Sequence, residues 1–586
     1  MAKICGILKT KSKDTSNLIK DMTLLMKHES WHKEFNFSKK NISFGIVSLN
    51  QINSEQPIWN KDKTKCIIMS GKIFDYDFKN VKNDAEYILS SYEKFGKEFI
   101  KKLNGIFAFA LFDFKEESIV LVNDRYGFRP LYYHIDFDKI IFASEVKSII
   151  ADKTIKKEID WKAWGDFFYF GEIHGNNTFF KNISALPPAS ILTFKNSKVS
   201  IEKYYDFSFI KSDDSKKANY FVDKSIELLN RSLDKQTKWL KEADLLLTGG
   251  FDSRCIAMII KNQNRIKLNT FTTLKEGDGD KDKIYAKKVA DFLGFKNTFV
   301  PLSKDLYQKH FLKTFYLTDG MTNGHLFLMP LIEKLDKKHI NFDGIVGDIL
   351  LRGSFTDEYK LKIGSKKLIN TLLNKNKSKI VKKVFNSDVA KIINNSILEE
   401  TKKELNNFKD TNNFLTLYLL MNEGRRKVAL NSMNTLLLKK ESFAPFLDND
   451  FVEFALTIPT KLKNKEAIYN KIMNKLNSEC MKISSTRGLV ENKNLIFYLK
   501  RLTFIRNIRS RLYFFLSSSS LFMKFLTKIG LYKRDSKDNL NFEEKLLKKC
   551  TERDFINDFK HNSDLYSKYR LQFLLWYNLF FKGKVL

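Results

Sequence analysis

The chain has 586 residues, 43% of them hydrophobic, which is too long for a single core and suits two or three domains. Its 102 Lys and Arg against 68 Asp and Glu leave a net charge of +34, but the excess is spread over many lysine-rich helices and no zinc-finger, RNA-recognition or helix-turn-helix pattern occurs, so specific nucleic-acid binding is not expected. Five scattered cysteines (Cys5, Cys66, Cys255, Cys480, Cys550) without ligand spacing, no signal-peptide pattern and no run of eighteen apolar residues predict a cytoplasmic protein lacking disulfides and zinc.

In chain order, Cys5-Gly6-Ile7 comes first. Phe44–Leu49, Cys66–Ser70, Ile106–Phe112 and Ser118–Val122 read as short strands between turn signals, and Asp84–Phe95 as an amphipathic helix. Strands in runs with few helices predict an α+β sandwich over residues 1–205.

Further on, Leu245–Leu247 reads as a buried parallel strand and Ser253–Lys261 as the helix after it. Between them Thr248, Gly249, Gly250, Asp252 and Ser253 form an anion cradle. Glycines let backbone approach a phosphate, the helix N-terminus aims N–H groups at it, and two hydroxyls add donors. An acid there makes sense as a ligand of a divalent cation, which assigns Asp252 to metal. No Gly-Lys-Ser/Thr follows, and the pattern is not GxGxxG. Leu268–Leu274 as a strand, Lys281–Leu293 as a helix and Asn297–Pro301 as a strand continue a βαβ series. Its doubly wound parallel sheet binds ligands beyond the strand C-termini. Residues 497–532 mix Phe, Leu and Tyr with Arg and Lys, a pattern read either as a lid on the second domain or as a segment lying on an anionic membrane.

The cradle resembles the SGGxDS loop of the asparagine synthetase family, with Thr248 for the first serine. Leu103–Ala110, Asn123–Tyr133, Phe142–Lys147, Asn177–Ile183 and Leu186–Pro188 are similar to segments of that family's glutaminase domain and its exit, and the resemblance covers about residues 1–490. It implies an Ntn-type glutaminase-like sandwich over 1–205, an ATP pyrophosphatase domain over 206–490, and leaves 491–586 as a basic helical extension. It also implies ATP and Mg²⁺ as cofactors, with Leu246, Thr248, Gly249, Gly250, Asp252, Ser253, Thr273 and Gly347 at the nucleotide, and Asp348 sharing the metal with Asp252. Asp319, His325, Arg425, Arg426 and Lys471 fall near the family's substrate contacts. For His325 a structural hydrogen bond stays open, and for Arg425 and Arg426 a solvated helix face.

Departures accompany the resemblance. Cys5 matches the family's N-terminal nucleophile, whose own α-amine is the base, yet Met1–Ile4 precede it and processing after Ile4 would be required. Of the glutamine pocket only Gly71 and Asp84 remain, with Gly45 for an arginine and Lys72 for a glutamate. Ile345 and Ile349 stand for acids, and Asn470 for a lysine. The expected activity is adenylation of a small-molecule or peptide carboxylate, with acyl transfer to ammonia or an amine, as in the related β-lactam synthetases and lasso-peptide cyclases. A glutamine-dependent asparagine synthase, a non-catalytic scaffold and a homodimeric assembly remain alternatives.

Overall fold

A computed structural model describes residues 2–10, 14–49, 55–76, 81–274, 281–303, 305–322, 324–353, 360–373, 375–486 and 565–583. The segment 497–532 therefore lies outside the described residues.

The first domain is a sandwich of two six-stranded antiparallel sheets. One runs, in spatial order, Ser184–Ala185, Tyr132–Asp136, Lys139–Ala143, Ala2–Lys9, Ile42–Ser48 and Lys33–Lys39. The other runs Lys198–Lys203, Ser190–Lys195, Ser118–Asn123, Gly105–Asp113, Lys65–Ile73 and Ile58–Trp59. Alternation along the strands sorts side chains by face. Ile4, Leu8, Phe44 and Ile46 meet Cys66, Ile68, Ala108 and Ala110 between the sheets. On the first sheet's outer face, Cys5 and Ile7 pack under Ile19, Met22 and Met26 of the helix Ser16–Met26. The helix Asp84–Phe95 covers the second sheet's outer face through Ala85, Ile88 and Leu89. Asn83 caps that helix, its side chain accepting from the Glu86 N–H.

The second domain holds a five-stranded, all-parallel sheet in the order Asn297–Val300, Lys267–Thr273, Glu242–Leu246, Ile340–Phe342, Ser442–Phe443. Chain order reverses between Glu242–Leu246 and Ile340–Phe342, and the crevice at such a switch point is where open α/β sheets take ligands. The helix after the first of these strands starts two residues before its expected position, spanning Phe251–Gln263 with Gly250 as N-cap. Asp252 consequently sits in the first turn, where the helix dipole favours an anion.

The two domains share a buried polar seam. Asn104 donates to Asp448 (2.9 Å), Tyr126 donates to Asn449 (3.0 Å), and Arg129 pairs with Glu441 inside the protein. The described part of the C-terminal extension, the helix Leu565–Trp576 and its continuation Tyr577–Phe581, docks beside Trp161, Trp164 and Phe179 of the first domain. Among the described residues no helix is long and apolar enough to cross a membrane.

Candidate functional site

The loops leaving the two strands at the switch point close on one another. Thr248 donates its N–H to Ser253 Oγ (3.0 Å), and Gly250 donates to Thr248 Oγ1 (3.2 Å), so the cradle hydroxyls shape the loop itself. The Gly249 N–H goes to Asp282 Oδ1 at 2.7 Å, from the first turn of the helix Lys281–Leu293. Asp282 was not expected at the site; its signal was an acid opening the helix that follows the next strand.

Opposite lies the loop after Ile340–Phe342. A Cβ on Gly344 would sit 2.9 Å from Asp252 Cβ, and one on Gly347 would sit 2.8 Å from Asp252 Oδ1, so this approach needs glycine at both positions. Val346 between them is buried with φ +63°, a conformation costly for a β-branched residue. Asp348 follows in the first turn of the short helix Gly347–Leu351. Tyr469, from the helix Ala467–Leu476, donates to Asp252 Oδ1 at 2.6 Å. Burial, reinforced by the charges of Asp252 and Asp348, raises the Tyr469 phenol well above its ordinary value, so it stays a donor. Sequence reading passed over Tyr469, a lone aromatic on an apolar helix face.

The expected nucleotide residues Leu246, Thr248, Gly249, Gly250, Asp252, Ser253, Gly347 and Asp348 are thus brought to one crevice, with Thr273 at the end of the adjacent strand. The Thr273 hydroxyl donates to Val300 O (2.9 Å) and that of Thr272 to Leu247 O (2.8 Å). The crevice offers hard oxygen donors and a glycine-lined approach. Mg²⁺ takes one or two carboxylates and completes its shell with phosphate oxygens and water, so Asp252 and Asp348 suit it. Among the described residues no group of three or more His, Cys, Asp or Glu gathers as a metal site.

The substrate set needs correction. Arg425 and Arg426 belong to a wide, π-helical stretch, Leu420–Met433, and are buried. Arg425 donates to Asn176 Oδ1 (3.0 Å) and Leu186 O (2.8 Å), and Arg426 to Ile173 O (3.2 Å) and Asn177 O (2.5 Å). They are neither a substrate clamp nor a solvated face, because exit-segment carbonyls consume them as domain staples. Asp319 is likewise spent on the first domain, accepting from the N–H groups of Val146 (2.8 Å) and Lys147 (3.2 Å) and from Lys147 Nζ (3.0 Å). Lys471 is exposed, two positions along the helix from Tyr469 and so on its far side. His325 is half-buried, its ring 5.0 Å from that of Phe327.

In the first domain Cys5 is fully buried in mid-strand, paired with Gly45 on one side and Ala143 on the other. The strand continues upstream through Ala2–Ile4, and buried Lys3 pairs with Glu145, which also bonds His28 Nε2 at 2.9 Å. Burial pushes the Cys5 thiol far up, and Sγ lies 3.7 Å from Gly45 O. A Cβ on Gly45 would meet Thr23 Cγ2 at 2.2 Å and Asn36 Oδ1 at 2.9 Å, so the space for a larger residue there is filled. Asp84 is held by Lys72 Nζ (2.9 Å) and by the Tyr76 hydroxyl, under the other sheet. Cys5 thus packs under the helix on one sheet's outer face, Asp84 opens the helix on the other sheet's outer face, and Gly71 lies on the strand Lys65–Ile73 opposite Phe107.

Two family models match the chain. Residues 1–205 match the family model for a glutamine amidotransferase domain, and residues 224–476 that for asparagine synthase. Glutamine-hydrolyzing asparagine synthetase 1 of Bacillus subtilis is 26% identical over 364 residues, 59% of this chain and 55% of that protein. A putative glutamine-hydrolyzing asparagine synthetase 2 of Methanocaldococcus jannaschii is 30% identical over 329 residues, 50% of this chain and 63% of that protein. The chain thus spans less than two thirds of these curated relatives. A solved glutamine phosphoribosylpyrophosphate amidotransferase from B. subtilis aligns at 11% identity and TM-score 0.25, covering 47% of this chain and 67% of that one.

Proposed function

Because the chain belongs to the asparagine synthetase family, we propose that it is an ATP-dependent carbon–nitrogen ligase. It activates a carboxylate as an acyl adenylate, releases pyrophosphate, and passes the acyl group to ammonia or an amine. The approach of the Gly344–Asp348 loop to Asp252 at the sheet's switch point carries this reading.

The chain's own residues do the positioning. Thr248, Gly250 and Ser253 shape the phosphate loop, Asp282 anchors it through Gly249, and Tyr469 orients Asp252. Asp252 and Asp348 would hold Mg²⁺, which when bound would neutralise charge on the departing pyrophosphate. Preorganised groups of this kind do most of the work in phosphate chemistry.

The first domain serves as scaffold rather than as glutaminase. A backbone amide cannot replace an α-amine as base, and the Cys5 thiol is buried with its pKa raised. The nitrogen donor is then free ammonia or an amine. Exchange of labelled pyrophosphate into ATP across a panel of carboxylic acids tests the ligase reading: acid-dependent exchange is expected, and none with any acid would leave the scaffold alternative. Glutamine hydrolysis by a mature chain beginning at Cys5 would restore the glutamine-dependent alternative.

A further inference from the structure

Arg254, the residue after the cradle's Ser253, is fully buried behind the loop. Its guanidinium donates to Ile483 O (2.8 Å), Ser484 O (3.0 Å) and Gly249 O (3.4 Å), three carbonyls in all. Its Nε has no acceptor, and among the described residues no carboxylate pairs with it. Cys480 is the titratable group facing it. Thr486 closes the arrangement by donating its N–H to Gly249 O (3.1 Å), and a Cβ on Gly249 would lie 2.6 Å from Thr486 Cγ2.

Burying a guanidinium against carbonyls alone is unfavourable unless an anion nearby offsets it. The acids near the cradle, Asp282 accepting from the Gly249 N–H and Asp252 from the Tyr469 hydroxyl, keep their charge, but neither hydrogen-bonds the guanidinium directly. A phosphate bound at the cradle, on the open side of Gly249, would add a further anion on the far side of the same peptide that Arg254 holds.

We propose that Arg254 is a positioning residue whose buried charge, acting from behind through Gly249 and the Ile483–Thr486 segment, selects a pyrophosphate-bearing ligand at the cradle. The inference rests on the nucleotide reading above and adds a source of cationic charge specific to this chain. Its role is electrostatic as well as structural, so pyrophosphate and AMP should respond differently to its loss.

Titration calorimetry on the full chain with Mg²⁺-pyrophosphate and, separately, AMP tests it with Arg254→Met and Arg254→Lys. Arg254→Met should weaken pyrophosphate about tenfold, ~1.4 kcal/mol, with AMP unchanged. Arg254→Lys, which keeps the charge but loses the fork, should hold pyrophosphate within about threefold. Equal weakening of pyrophosphate and AMP, or a folded Arg254→Lys chain as weak as Arg254→Met or more than about tenfold down, would overturn the proposal. The Lys variant decides alone if the Met variant does not fold. Failure of the unsubstituted chain to bind Mg²⁺-pyrophosphate would instead sink the nucleotide reading beneath it.

Discussion

Gly347→Ala probes the crevice with one added methyl. Gly347 has no positive φ, so the backbone accepts alanine, which even favours the first turn of its helix by up to ~1 kcal/mol. Sterics decide the outcome. The new Cβ would lie 2.8 Å from Asp252 Oδ1 and 3.0 Å from both Asp252 Cγ and Phe446 Cε2. Carbon contacts settle at about 3.5 Å, so Asp252 must retreat by roughly half an ångström. Phe446 is fully buried and Tyr469 holds the carboxylate, so neither neighbour yields easily. Overpacking of this kind costs about 1–3 kcal/mol. A half-ångström displacement, at about 100-fold per ångström, costs about tenfold in rate. Urea unfolding and ATP–pyrophosphate exchange measure the two. Wild-type exchange together with wild-type stability would refute the geometry from which the site is built.

Two further substitutions separate structure from chemistry. Arg425→Ala should cost on the order of 3–5 kcal/mol by orphaning the exit-segment acceptors, including Asn176 Oδ1 and Leu186 O. Exchange per folded molecule should be unchanged, and lost exchange at intact stability would restore Arg425 to the substrate set. Asp166 is raised from 3.8 to about 7 by burial, and His174, whose N–H it accepts at 3.2 Å, is raised as well by its acidic neighbours. Both folded-state pKa values lie above the unfolded ones, so the proton-bound forms favour the fold and stability falls as pH rises through about 7. For Asp166, about three pKa units correspond to about 4 kcal/mol lost between pH 4 and 7. Asp166→Asn should flatten that decline in urea unfolding from pH 5 to 8, and an unchanged slope would contradict the assignment.

Strand periodicity and turn residues made some of the strands in each domain legible, together with the bounds of the helices Asp84–Phe95 and Lys281–Leu293. The cradle was legible because glycine, hydroxyl and acid at that spacing serve few other purposes. Arg425, Arg426 and Asp319 were misread because a buried ion whose partners come from a distant segment looks, in one dimension, like a functional charge. Asn104 and the Asp124–Arg129 turn, part of the first domain's resemblance, form the interdomain seam instead. Asp124 accepts from the N–H groups of Tyr126 (2.9 Å), Phe128 (3.2 Å) and Arg129 (3.2 Å). Tyr469 and Arg254 were missed because each acts across tertiary contacts that leave no local pattern, whereas Asp282 left the signal of an acid opening the helix after the next strand.

We propose that Asp252 and Asp348 act on one metal nucleotide. A double-mutant cycle on Mg²⁺-dependent ATP–pyrophosphate exchange, with Asp252→Asn, Asp348→Asn and the pair, tests it most directly. Each single variant should lose most of the exchange, and the double variant little more. Losses that multiply as independent factors, or a single variant with wild-type exchange, would contradict it.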